Sequence, residues 1–460
     1  MTAASKIYAS QDTSTDVGSV EEFIPLPKRI VLGAQQALVS NAWLDPIFIA
    51  SVAGFSAGLA TNLVSATFLA AGLVTLVQST RLVRLPIVQG PSSAFSPLAI
   101  GYYKAGSIAA AGFGLFIGAA IIFLAAITGQ FAKIRAVLSK SVSGAIITLV
   151  GISLTGFAFM EFFGGPGSPH FGTGYSLLIA AITMGTVVLC SGLGGRVRTF
   201  GFLFGLIVGN VAAAMAGLLD YSSVGTAPWL ALPKLLPYGA WSFDPGITIT
   251  MIIVFFVAVV EAVGMYEATA ILARTELDEK RINMGIAGEA GGSMLSALLG
   301  AFGTTAYAQN LGVVKLTGIA SRHVVRVTGI IFIVLAFIPK FGAILVATPA
   351  PVIGGLFIPA AATVIMAGIQ MAGIERRGPA QNLVAPLGIM AGLGVPPLAD
   401  ALSPSLYPLL AEMVHHPIVV GSVVAILAEL VLVRLPEALG KGDAGSAKAT
   451  AGVPSDHLGG

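Results

Sequence analysis

Charge is what this sequence has least of. Only 10% of its 460 residues are Asp, Glu, Lys or Arg and 56% are hydrophobic, whereas about a quarter of a soluble domain is charged. An ordinary soluble globule is excluded. Cysteine is absent apart from Cys190, which lies in the apolar run that begins near Leu177. No intrachain disulfide and no thiolate metal site can therefore be built, and Cys190 reads as a small buried hydrophobe. The net charge of +3 comes without any cluster of Lys and Arg, which argues against a nucleic-acid partner. The histidines (His170, His323, His415, His416 and His457) fall in predicted loops, segment ends or the tail. With no HExxH, nucleophile elbow or P-loop, neither an enzyme nor ATP-driven transport has support. The start of the chain carries Asp12, Asp16, Glu21 and Glu22 instead of the basic start and apolar core of a signal peptide, so the N-terminus is expected to stay cytoplasmic.

Glycine and proline, by contrast, are plentiful at 57 and 25 residues, and both are more frequent in transmembrane helices than in soluble ones. Apolar stretches of about twenty residues, enough to span a bilayer, recur along the chain. They are expected near 30–48, 50–79, 85–103, 108–129, 141–160, 174–192, 200–219, 248–273, 282–302, 304–321, 323–339, 351–371, 380–398 and 417–435, fourteen in all. Loop charge tests this count, because cytoplasmic loops retain Lys and Arg. Loops after even-numbered segments hold fourteen, from Arg81 and Arg84 through Lys133, Arg135 and Lys140 to Arg376 and Arg377, and loops after odd-numbered segments hold only Lys104, Lys234 and Lys340. Both termini are then cytoplasmic. From Ala438 to Gly460 little remains to bury, which predicts a disordered tail.

Two segments are broken. LPIVQGPSSAFSP, from Leu85 to Pro97, holds three prolines, and TTAYAQNLG, from Thr304 to Gly312, is polar and β-branched where a helix should be apolar. Non-helical backbone survives at membrane depth only where protein or a water-filled cavity satisfies it, and paired interruptions in corresponding halves point to a transporter's binding site. The breaks fall in the third and tenth segments, as two seven-segment repeats require, and place Gln89 and Gln309 at corresponding points.

Glu261 lies mid-helix in IIVFFVAVVEAVGMYEATAI, where a carboxylate costs about 2.5 kcal/mol or more at the bilayer centre. It can accept hydrogen bonds from a substrate's N–H groups or bind a proton; the bland alternative is a protonated or paired acid inside the bundle. Met265 shares its helix face and either lines the same cavity or fills packing space, while Glu267 faces away. Glu289, in GIAGEAGGSMLSALLG, is a second intramembrane acid suited to cation coupling or to organising the site. Gln309 and Asn310 offer amide donors and acceptors to a planar heterocycle, or satisfy the broken backbone.

QNLGVVKLTG, from Gln309 to Gly318, resembles the signature of the nucleobase–ascorbate transporter family, which includes the xanthine/uracil permeases; Gln309, Asn310, Gly312 and Thr317 match it. EAVGMYEATA from Glu261, RINMGIAGEAGGSMLSALLG from Arg281, ASR at Ala320 and IPKFGAILVATPAPVIGG from Ile338 are similar to the same family in the same order. The resemblance implies an all-α polytopic fold of two inverted seven-segment repeats, with core and gate domains, usually a homodimer, moving nucleobases or ascorbate with H⁺ or Na⁺ and no other cofactor. The core would comprise residues 27–129 and 246–340, the gate 130–245 and 341–437, flanked by tails at 1–26 and 438–460.

By the same resemblance Glu261 and Gln309 hydrogen-bond the base, Tyr307 and Ala308 line the site, and Glu289 occupies the position of the acid before the signature. A Gln at the signature's first position is typical of xanthine and urate carriers, a Glu of uracil carriers. Three positions depart from the family: Gln36 replaces the usual His of a Gln-His pair, Met265 replaces a His or Asp, and Ser93, with Phe95 close by, replaces the aromatic that stacks on the base. The expected function is cation-coupled uptake of a purine across the cell membrane. Alternatives are a pyrimidine permease or, given Lys315 near the break, an organic-anion carrier.

Overall fold

The computed structural model describes residues 17–131, 139–373, 380–402, 406 and 408–439. Most of the expected C-terminal tail, the first sixteen residues, and the loop cations Lys133, Arg135, Arg376 and Arg377 lie outside these. The described chain is almost wholly helical, with a single two-stranded sheet.

By contacts the chain divides into two units, Met1–Ala132 with Ser153–Thr363 and Lys133–Ile152 with Val364–Gly460. The first holds α1 (Leu26–Val39), α2 (Leu44–Ala53), α3 (Ala57–Thr80), β1 (Gln89–Pro91), α4 (Ser96–Lys104) and α5 (Ile108–Ile127). Next in the chain is α6 (Lys140–Phe162), whose first half belongs to the second unit. Then follow α7 (Gly174–Leu193), α8 (Gly201–Met215), α9 (Pro245–Leu272), α10 (Glu279–Leu298), β2 (Thr304–Ala306), α11 (Gln309–Thr317), α12 (Arg322–Ala336), α13 (Pro339–Val346) and the start of α14 (Ala350–Gly373). The second unit adds the rest of α14, α15 (Val384–Gly394) and α16 (Pro417–Glu429); here Gly388 lies against the Gly421 carbonyl and Ala425, and Leu149 packs on Gly392 and Gly421.

Eight helices among the described residues are long and apolar enough to cross a membrane, and a ninth span results if α12 and α13, bent by 85°, count as one. The protein is an all-α polytopic membrane protein. Among the expected segments that are not counted, α8 has 15 residues, α4 and α11 have nine each behind their strands, and 30–48 is split into α1 of 14 residues and α2 of ten, whereas α10 has 20 residues and is too polar. The long helices begin where capping chemistry starts them. Asp244 accepts from the Ile247 N–H at 2.9 Å ahead of Pro245, and Asp278 accepts from the Arg281 N–H at 2.7 Å. The 28 residues of α9 extend about 42 Å.

Small residues set the spacing. A Cβ on Gly72 of α3 would meet the Gly329 carbonyl of α12 at 2.7 Å, and one on Gly329 would meet the Gly72 carbonyl at 2.9 Å. The two backbones touch because neither carries a side chain, as interhelical contacts in lipid favour.

Residues preceding α1 strap the ends of several helices. Gly18 N–H donates to the Gly318 carbonyl, Arg322 N–H to the Val20 carbonyl, and Ser321 Oγ to the Glu22 carbonyl. Val20 is buried with Ala273, Val314 and Ala320. Glu21 bridges Arg322 at 2.7 Å and Arg84 at 3.0 Å.

Candidate substrate site

The two breaks meet. Pro86, Pro91 and Pro97 prevent a continuous helix over the third segment, and the extended residues they leave pair antiparallel with β2, in the register Gln89 with Ala306, Gly90 with Thr305 and Pro91 with Thr304. Tyr307 N–H to the Val88 carbonyl (3.0 Å) and Ser92 N–H to the Gly303 carbonyl (2.8 Å) extend the ladder at both ends. Backbone groups that a helix would have satisfied internally are thus satisfied between the two halves. Neighbouring helices complete the support: Thr75 Oγ1 accepts from the Gln89 N–H, Ser293 Oγ from the Thr304 N–H, and Thr305 Oγ1 donates to the Ala258 carbonyl.

Glu261 of α9 is half-buried at this crossing, and its Oε2 accepts from Ser92 Oγ at 3.3 Å. The adjacent Ser93 turns to a different acid: Ser93 Oγ donates to Asp45 Oδ2 and Ser96 Oγ to Asp45 Oδ1, each at 3.0 Å. Glu261 and Asp45 lie near enough for their charges to interact. Gln309 opens α11, exposed like Ala308 before it, and its side chain has no partner among the described residues. Tyr307 is buried with its ring over Gly90, where a Cβ would collide with it, and its hydroxyl donates to the Pro91 carbonyl at 2.8 Å. Phe95 is fully buried, with its ring against Gly303. Met265 packs on the apolar cluster of Leu85, Ile87 and Ala306.

Glu289 is fully buried behind the strands. Its Oε1 accepts from the Tyr266 hydroxyl at 2.7 Å, which in turn accepts from Gln78 Nε2 at 3.0 Å. The Gln89 side chain lies beside Glu289, yet Glu289 Oε2, Gln78 Oε1 and both polar atoms of the Gln89 carboxamide are buried without hydrogen-bond partners among the described residues. Asn310, also buried, donates through Nδ2 to the Gln36 carbonyl (3.0 Å) and Gln36 Oε1 (2.5 Å), which fastens α11 to α1. Lys315 is exposed in the last turn of α11, six residues beyond Gln309.

Asp45, Ser92 and Ser96 escaped the sequence reading. The signal for Asp45 was an acid followed by proline inside the apolar stretch WLDPIFIA. The expected segment 30–48 put it at a span's edge, whereas the chain breaks between α1 and α2, with Asn41 left-handed (φ 57°), and carries Asp45 into the interior.

A family model, that of the permease family Xan_ur_permease, matches residues 27–398. The chain belongs to that family. The resemblance carried by the run from Gln309 to Gly318 is borne out over most of its length. Among related permeases, the chain is 32% identical to the uric acid permease PucK of Bacillus subtilis over 411 residues, 86% of this chain and 94% of that one. It is 30% identical to the xanthine permease of the same species, covering 88% and 93% of the two chains. Permeases move solutes rather than transform them, so the protein is a transporter and not an enzyme. In fold it is similar to the transmembrane domain of the cyanobacterial bicarbonate transporter BicA, with a TM-score of 0.58, 14% identity and 90% and 99% of the two chains covered. Murine Slc26a9, an anion transporter in its inward-facing state, gives 0.59 at 14% identity, with 90% and 69% covered.

Proposed function

We propose that this permease carries an oxo-purine of the xanthine or urate kind across the cell membrane, coupled to H⁺ or Na⁺. The observation that carries the reading is Glu261, a half-buried carboxylate at the meeting of two broken segments, held by one serine hydroxyl. An acceptor so placed suits the N–H groups of a planar heterocycle. Gln309, exposed nearby in the chain at the head of α11, would read an N–H and an adjacent carbonyl on the base edge; Ala308 and Asn310 would flank it. Sequence kinship to the uric acid and xanthine permeases supports a purine ahead of uracil.

Coupling falls to Glu289 in this reading, supported by its unpartnered oxygen beside Gln89. Tyr307, Phe95 and Met265 would wall the site, with Gln36 fixing Asn310. The remaining features belong to the same proposal: fourteen segments in two inverted repeats, a core and a gate, a homodimer, and both termini in the cytoplasm. Uptake of labelled xanthine, urate, uracil and ascorbate into expressing cells tests it, with a protonophore and with sodium replaced. Saturable xanthine or urate uptake is expected; uptake of uracil or ascorbate alone would refute the purine reading.

A further inference from the structure

Two helix beginnings converge on Asp45. It lies in the first turn of α2, and its carboxylate accepts from Ser93 and Ser96, which stand at the start of the helical run Ser93–Lys104 that forms the second half of the broken third segment. Helix N-termini carry partial positive charge and are ready-made anion sites, and in transporters with broken helices they are turned on anionic substrate groups. Here that positive end already has an anion. Asp45 is 6% exposed, both its oxygens accept hydroxyl protons, and the Glu261 carboxyl stands within its field.

We propose that Asp45 is a specificity-determining residue that selects solute by charge, its carboxylate cancelling the positive end of the broken segment so that neutral oxo-purines are favoured over anionic ones. The inference rests on the purine reading above and adds the charge state of the solute. Ser92 and Ser93, neighbours in the chain, hold one carboxylate each. A solute hydrogen-bonded to Glu261 therefore sits in the field of two acids. In a medium of reduced dielectric a second negative charge there acts strongly on a bound anion and little on a neutral molecule.

The test compares hypoxanthine, neutral at pH 7, with urate, a monoanion at that pH. In the wild type, urate should displace labelled xanthine several-fold less well than hypoxanthine does. Asp45→Asn keeps a side chain able to bond Ser93 and Ser96 but removes the charge, and should raise the urate-to-hypoxanthine uptake ratio about tenfold. Asp45→Glu should leave the ratio near that of the wild type. Asp45→Ser reads the same quantity should the asparagine variant fail to reach the membrane, and the wild-type competition needs no variant. A structural role alone would lower both uptakes together without moving the ratio, and that result overturns the proposal, as does equal competition by urate and hypoxanthine. If no purine is carried at all, the purine reading fails; if purines are carried and the ratio is fixed, only the charge-selection inference fails.

Discussion

Ser92 Oγ lies 3.3 Å from Glu261 Oε2, so a residue from one broken segment steadies an acid on α9, the helix that packs against the strand of the other. Glu261→Gln would substitute an amide that offers two N–H donors where an acceptor-only carboxylate stood. Uptake should be abolished while the protein remains in the membrane. Uptake kinetics of the variant in cells, normalised to membrane protein, check this; unchanged kinetics would remove Glu261 from the site.

Gln309 both donates and accepts, so it can meet an oxo-purine edge that presents an N–H beside a carbonyl. An ionised Glu there only accepts. Gln309→Glu should weaken purine binding by about 1–3 kcal/mol through an unpaired or repelled carbonyl, with a smaller loss for uracil. Competition assays with both bases measure the difference, and unaltered relative affinities would leave Gln309 as backbone support.

The strap ahead of α1 should be sensitive to acid. The Arg322 guanidinium, seconded by Arg84, holds the Glu21 carboxyl below its ordinary value. A group depressed in the folded state stabilises fully above its unfolded pKa and loses that contribution as pH falls through the folded value. Protection of the amides of residues 18–22, taken relative to their intrinsic exchange rates at each pH, should therefore fall below about pH 4. Because Glu21 is half-exposed, water screens the pair and the effect should be modest. Glu21→Gln should exchange faster at neutral pH and flatten the profile; an identical profile would show the ion pairs to be idle.

Orientation is open to a direct check. Basic loops are retained in the cytoplasm, so tags at Ser139 and at the C-terminus should react with impermeant reagents only after the membrane is opened. Labelling of either tag in intact cells would refute the span assignment.

The acids and breaks that make up the candidate site were legible in the sequence. Glu261 and Glu289 stood out because an acid in a long apolar run is costly, and the breaks showed as prolines and polar residues where helix was due. The pairing of the breaks was not legible. Three-residue strands carry no periodicity, and residues 89–91 and 304–306 find each other only through the packing of α3, α9 and α10 around them. Tyr307 reads in sequence as a wall of the site, yet a missing side chain at Gly90, over two hundred residues away, decides where its ring rests. Asp45 was hidden by a boundary. A span drawn through 30–48 makes it an edge residue, and only the turn at Ser40–Trp43 shows that it faces inward.

The short ladder between β1 and β2 also limits how the molecule can work. Its hydrogen bonds tie two stretches of chain that a continuous helix would have kept apart, and at membrane depth no water stands ready to replace them. Sliding one strand past the other would strand several amides at once. In the proposed site the floor under a solute must therefore travel as a single plank, with Glu261 and Ser92 riding on it together, and whatever opens and shuts the route has to be sought elsewhere in the protein.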